Sequence, residues 1–101
     1  MGLGITRVGD TTEGTCSCDS HGQQSGTVID GTENVLSNGL PTGRITSIVR
    51  ANCGHESPII SGSETVWTNG VYTSRMTSIF GEEGDCYTGY VIEGSSNIFI
   101  G

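Results

Sequence analysis

Basic residues are scarce in this chain: four Lys and Arg stand against eleven Asp and Glu, for a formal net charge of −7 over 101 residues. That balance leaves no positive footprint for a nucleic acid or an anionic bilayer surface, and it argues against both as binding partners. Long apolar runs are also missing. No stretch reaches the length of a transmembrane helix, and the opening MGLGITRVGD lacks the basic segment and apolar run of a secretory signal. The expectation is synthesis in the cytoplasm without a signal peptide. Apolar residues amount to 33% while Gly takes 17 positions. One domain of this size buries roughly two-thirds of the surface its unfolded chain exposes, and each glycine adds backbone entropy to be lost on folding. Something besides apolar burial has to hold the fold.

What is present is chemistry in side chains. Cys16, Cys18, Cys53 and Cys86 are even in number, which suits two disulfides in an exported scaffold or one metal site in a protein made in the cytosol. The missing signal sequence favours metal. So does the spacing: one residue separates Cys16 from Cys18, and His21 and His55 lie within a few residues of cysteines.

The chain repeats itself. Residues 31–48 read GTENVLSNGLPTGRITSI, residues 62–79 read GSETVWTNGVYTSRMTSI, and residues 94–101 read GSSNIFIG. The third copy is short, yet MGLGITR at the start aligns without a gap against NGLPTGR at 38–44, with Gly2 over Gly39, Leu3 over Leu40 and Arg7 over Arg44. The repeats therefore run over about 31–61, 62–93 and 94–101, the last completed by the N-terminal segment, within a single domain of residues 1–101. A repeat unit of this kind is not stable alone, and a seam placed inside one unit implies a closed pseudo-threefold body in which the two termini meet.

Asn38-Gly39 and Asn69-Gly70 sit between short β-prone runs, the signal for two-residue type I′ hairpins. Val35, Leu36, Val66, Trp67, Ile98 and Phe99 supply β-branched and aromatic strand residues, and no window carries a sustained helical period. The fold class is all-β. Trp67 reads as a packing residue of its strand. Between the hairpins, 9–27, 49–57 and 80–89 read as polar, Gly-rich loops, and every Cys and His lies in them.

In a threefold body, equivalent loops leave from the same end, so their thiols and imidazoles converge on the axis. Cys18, His55 and Cys86 each lie eleven residues after a repeat arginine, Arg7, Arg44 and Arg75, while Cys16 and Cys53 share an offset of nine. A closed tetrahedral site needs four such ligands, and its bonds contribute folding free energy directly. The ligand set favoured by this spacing is Cys53, His55 and Cys86, with Cys18 or His21 as the fourth. Thiolate with imidazole suits zinc best, with iron the alternative. Glu56 and Glu82 lie near enough in sequence to serve as the general base of a zinc hydrolase. The number of available ligands and the small size of the chain point instead to a closed, non-catalytic site and no small-molecule substrate. The run Glu82, Glu83, Asp85 reads as a solvated loop.

With these features assembled, the chain resembles the PAAR-repeat family, whose units run strand, Asn-Gly turn, Pro-Ala-Ala-Arg-like segment and a loop bearing Cys or His. The matching segments are LPTGR at 40–44, VYTSR at 71–75 and LGITR at 3–7. ITRVGD at 5–10 is similar to the family's Arg-Val-Gly-Asp opening, and GSETV, GTENV and GSSNI repeat the pattern before the turn. The likeness covers essentially the whole chain. It departs where Thr, Gly or Ser replace the alanines, and where Gly9-Asp10 becomes Thr46-Ser47 and Thr77-Ser78. The first loop, with Cys16, Cys18 and His21-Gly22, is also longer than the family's His-Gly turn.

The resemblance implies a cone with metal near its vertex and a broad base, one monomer of which caps a trimeric β-helical spike. The setting would be a phage tail or a type VI secretion-like contractile injection machine. Its role would be structural: a membrane-puncturing tip on a virion tail or a secreted device, in transient contact with the target membrane, with effector cargo as a further partner. The alternative is a small exported binding module stapled by metal or disulfides.

Overall fold

The computed structural model describes residues 2–18, 22–82 and 84–101. The strands, in chain order, are β1 (Leu3–Gly4), β2 (Thr11–Cys16), β3 (Gly22–Val28), β4 (Thr32–Ser37), β5 (Leu40–Thr42) and β6 (Ile48–Ala51), followed by β7 (Glu56–Pro58), β8 (Trp67–Thr68), β9 (Val71–Tyr72), β10 (Ile79–Phe80), β11 (Tyr87–Val91) and β12 (Phe99–Ile100). The fold is all-β, and no helix is long and apolar enough to cross a membrane.

Six strands form one antiparallel sheet in the order β10-β11-β2-β3-β6-β7. Its edges meet where Ile59, just past β7, bridges Phe80 of β10. There the Gly81 N–H donates to the Pro58 carbonyl at 2.9 Å and the Ile60 N–H to the Ile79 carbonyl at 2.8 Å. The sheet is thereby a nearly closed barrel, an arrangement that leaves little free edge. Cys16, Val28, Val49, Ala51, Ile59, Phe80, Tyr87 and Val91 fill its interior, with the Phe80 and Tyr87 rings 4.7 Å apart between centroids.

The barrel occupies the segments expected to be loops. β2, β3, β6, β7, β10 and β11 lie mostly within 9–27, 49–57 and 80–89, and the reason they escape a pattern search is visible in β2 and β11. TTEGTC has one apolar residue, the apolar residues of YTGYV do not alternate, and Gly14 faces Gly89 across the ladder. A Cβ on either would collide with the partner strand's backbone, Thr88 O in one case and Glu13 O in the other. Close backbone approach, rather than alternating hydrophobicity, is what these strands encode.

The other six strands make two small hairpins and a third two-stranded pair. β4–β5 and β8–β9 are joined by Asn38-Gly39, with φ of 54° and 79°, and Asn69-Gly70, with φ of 49° and 85°, the positive pair that a type I′ turn requires. The third pairs the two ends of the chain, Leu3 with Ile100 and Gly4 with Phe99. Backbone hydrogen bonds link the three in a ring. Thr6 N–H donates to Ser74 O at 3.0 Å, Ser74 N–H to Gly43 O at 2.9 Å, and Gly43 N–H to Thr6 O at 2.8 Å. Single bridges, Ile5 with Arg75, Arg7 with Thr42 and Arg44 with Thr73, run the same circuit. Hydroxyls fill this layer where apolar side chains would be expected: Ser37 with Thr42 at 2.7 Å, Thr68 with Thr73 at 2.6 Å, and Ser74 with Thr6 at 2.8 Å, all buried.

Each repeat arginine opens a tight turn between the ring and the barrel. Asp10, Ser47 and Ser78 donate their N–H to the carbonyls of Arg7, Arg44 and Arg75 at 3.0, 2.9 and 2.9 Å. Their side-chain oxygens in turn accept from the N–H of the same arginines at 2.8, 3.0 and 2.9 Å. The third position of these turns, Gly9, Thr46 and Thr77, has φ of 97°, 87° and 74°.

Candidate metal centre

Three hairpin tips of the barrel carry the cysteines and His55. In the β6–β7 tip, Gly54 N–H donates to Ala51 O at 2.9 Å and Ala51 N–H to His55 O at 2.8 Å, with Gly54 at φ 99°. This is a three-residue connection closed by a left-handed glycine. It holds Cys53 and His55 two residues apart, on either side of that glycine. β2 delivers Cys16, which pairs with Gly22 on β3 and Tyr87 on β11 and is buried.

The three side chains meet. Cys16 Sγ lies 2.8 Å from His55 Nδ1 and 3.5 Å from Cys53 Sγ, and Cys53 Sγ lies 3.5 Å from the same nitrogen. The donor atoms all fall within 4.8 Å of one another. A tetrahedral zinc with Zn–S of about 2.3 Å and Zn–N of about 2.0 Å separates its ligand atoms by roughly 3.5–3.8 Å. Two of the three separations already match, and the 2.8 Å contact, a thiol–imidazole hydrogen bond here, has to open by well under one ångström. The group therefore fits a metal ion: Cys16, Cys53 and His55 can hold one, in thiolate and neutral imidazole form.

This group differs from the set that the spacing favoured. Cys53 and His55 are in it, but the third member is Cys16. Cys86 and Cys18 are bonded to each other as a disulfide, their Cα atoms 5.1 Å apart. The reason is register. With Tyr87 opposite Cys16 and Ser17 N–H donating to Cys86 O at 2.8 Å, the ladder runs one residue past Cys16 and brings Cys18 beside Cys86, within disulfide range. Cys16 belongs to the inward-facing parity of β2. The signal that could have found it was its shared nine-residue offset with Cys53. His21 lies outside the described residues.

The disulfide and the triad are neighbours. Cys16 Sγ is 3.6 Å from the Cys18 carbonyl, and both Cys53 and Cys86 pack against the barrel core that contains Cys16. Tyr87 shares the core cluster with Cys16, its hydroxyl 3.2 Å from Thr12 Oγ1 and donating to Gln24 O at 3.3 Å. Burial raises the Tyr87 phenol above its ordinary pKa, against the opposing effect of the Thr12 hydrogen bond, so it stays neutral.

Glu56 is exposed and paired with Arg50, Nε to Oε2 at 2.6 Å, and Glu82 is exposed beside a backbone turn to Asp85. No pocket opens among the described residues. Trp67, expected to be packed, is instead 60% exposed and stacks on Tyr72 at 5.6 Å. Comparison with models of known protein families finds no match, and comparison with curated proteins finds none either.

Proposed function

We propose that this chain is a metal-pinned spike tip of the PAAR-repeat kind: a pseudo-threefold cone whose vertex is the cysteine-histidine end of the barrel and whose base is the ring of small hairpins. The observation that carries the reading is the closed circuit Thr6–Ser74–Gly43, in which three repeat-equivalent positions bond head to tail. A three-sided base of this form presents similar surfaces to three identical partners, as one chain capping a trimer requires. At repeat-equivalent positions on that base, Leu36, Trp67 and Phe99 stand 59%, 60% and 58% exposed. Leu3, Leu40 and Tyr72 add further exposed apolar surface from the facing strands. Three apolar prongs of this size on a strongly acidic protein mark an interaction site. The partner is the blunt end of a trimeric β-helical spike, and the role is mechanical, with the metal, zinc before iron, tying together the hairpin ends of a small core.

The test is capture by the spike trimer of the same organism, read as mass by light scattering and as a blue shift of Trp67 emission. One chain per trimer, lost in Trp67→Glu and Leu36→Glu variants that keep the native circular dichroism, is expected. Absence of binding by the metal-loaded protein would overturn the reading. The second reading, a small exported stapled module, draws on the Cys18–Cys86 disulfide. It predicts no bound metal and an intact Cys18–Cys86 bond in protein purified without added metal.

A further inference from the structure

Among the described residues three donors come together, one short of a tetrahedral set, and a further sulfur that packs against the same core is in Cys86, where the disulfide to Cys18 holds it. We propose that Cys86 is the redox-gated fourth ligand of the Cys16–Cys53–His55 centre: reduction of the Cys18–Cys86 bond closes a three-thiolate, one-imidazole site, and oxidation opens it. The inference rests on the metal reading of that centre.

The geometry supports it at two points. Register places Tyr87 opposite Cys16, so Cys86 is the residue next to the partner of the most buried ligand, and its side chain already lies against the barrel core. Cys18 meets the centre through its backbone carbonyl, 3.6 Å from Cys16 Sγ. A sulfur joined in a disulfide is no longer a thiolate and so is a poor metal ligand, and the two states therefore exclude each other.

The chemistry balances with a low-molecular-weight disulfide as oxidant. Cys18, as thiolate, attacks the reagent disulfide and expels one reagent thiolate. Cys86 leaves the metal, attacks the mixed disulfide at Cys18 and expels the second. One Cys18 thiol, one Cys86 thiolate, one proton and one reagent disulfide give the Cys18–Cys86 bond and two reagent thiols. The two protein sulfurs are oxidised and the two reagent sulfurs reduced. In a reducing cytosol the site is four-coordinate, and in an oxidising exterior the metal keeps three protein ligands and an open position, while the crosslink passes from metal to disulfide.

Cobalt(II) reads the ligand count. The full chain, loaded with cobalt in reduced and in oxidised glutathione buffer, is compared by its thiolate-to-cobalt charge-transfer absorption. Reduction is expected to raise that band roughly 1.5-fold, from two thiolates to three, and to give tetrahedral visible bands. Cys18→Ser is expected to hold the higher value in both buffers, and Cys86→Ser the lower value in both. Equal two-thiolate spectra of the unaltered chain in the two buffers would overturn the switch and leave the metal centre standing, and the reverse behaviour of the two variants would overturn the assignment to Cys86. No cobalt binding in either buffer would overturn the metal reading itself and this inference with it.

Discussion

At the scale of single residues, the three arginine turns explain what the sequence only recorded as a departure. Gly9 stands at the third position of its turn, where φ is 97°, and Asp10 returns a carboxylate oxygen to the Arg7 N–H. Ser47 and Ser78 do the same with hydroxyls, so replacing Asp by Ser keeps the function of the position. Replacing Gly by Thr does not. Thr46 and Thr77 hold φ of 87° and 74°, a region that β-branched residues enter at a cost of about 1–2 kcal/mol. Both are exposed, and the one side-chain contact on them, Arg75 to Thr77 at 3.4 Å, is exposed and long. Glycine there loses more entropy on folding, roughly 0.5–1 kcal/mol, which leaves a net gain. Thr46→Gly and Thr77→Gly are each expected to raise the unfolding free energy by about 0.5–1 kcal/mol in guanidinium titrations. A fall in stability for either would show that the turn tolerates threonine without strain. The cysteines follow a similar logic: their clustering at one end was legible from repeat offsets, but which sulfur meets which depended on strand register, and a shift of one residue in β2 exchanges the inward and outward sets.

Among the elements, the hairpins divide into those whose sequence announces them and those whose sequence does not. β4–β5 and β8–β9 carry Asn-Gly turns between apolar strand residues and were legible for that reason. The pairing of the first strand with the last was legible because the repeat resumes across the termini. The barrel hairpins were not, since β2 and β3 are built mostly from Thr, Gly, Ser and Gln and the apolar residues of β6, β10 and β11 fall in short runs without alternation, with interior contacts supplied by a few residues such as Val28, Phe80 and Tyr87. What fixes β2 against β11 is the Gly14–Gly89 pair. A Cβ at Gly89 would meet Glu13 O and press to 2.5 Å from Gly14 Cα, and neither is a side chain able to swing away. Gly89→Ala is expected to cost about 2–3 kcal/mol of stability through forced separation of the two strands. Ser25→Ala, on the exposed middle of β3, should change it by less than about 0.5 kcal/mol. Equal small effects in the two variants would mean that the ladder relaxes at the glycine pair, and that register is set elsewhere.

For the molecule as a whole, the question is what holds together 101 residues whose apolar core is one cluster of eight, with a neighbouring layer of buried hydroxyls. Such hydroxyl pairs contribute only about 1 kcal/mol each, since their partners in the unfolded chain are water. The covalent crosslink, and a metal where one is bound, then carry a large share of a total that is about 5–15 kcal/mol for ordinary domains. Cys18 and Cys86 are 68 residues apart in the chain, and closing a loop of that length in the unfolded state is worth about 4 kcal/mol in the chain-entropy account. Reduction of metal-free protein is therefore expected to lower the melting temperature by on the order of 20 °C. A metal held at 100 times its dissociation constant returns about 2.7 kcal/mol, so zinc added to the reduced protein should recover more than half of the lost melting temperature. Melts of the oxidised metal-free, reduced metal-free and reduced zinc-loaded forms decide it. If reduction leaves the metal-free melt unchanged, the barrel is stable on packing alone and needs no pin; if zinc fails to restore the reduced form, the three hairpin ends are held by the disulfide and not by a metal.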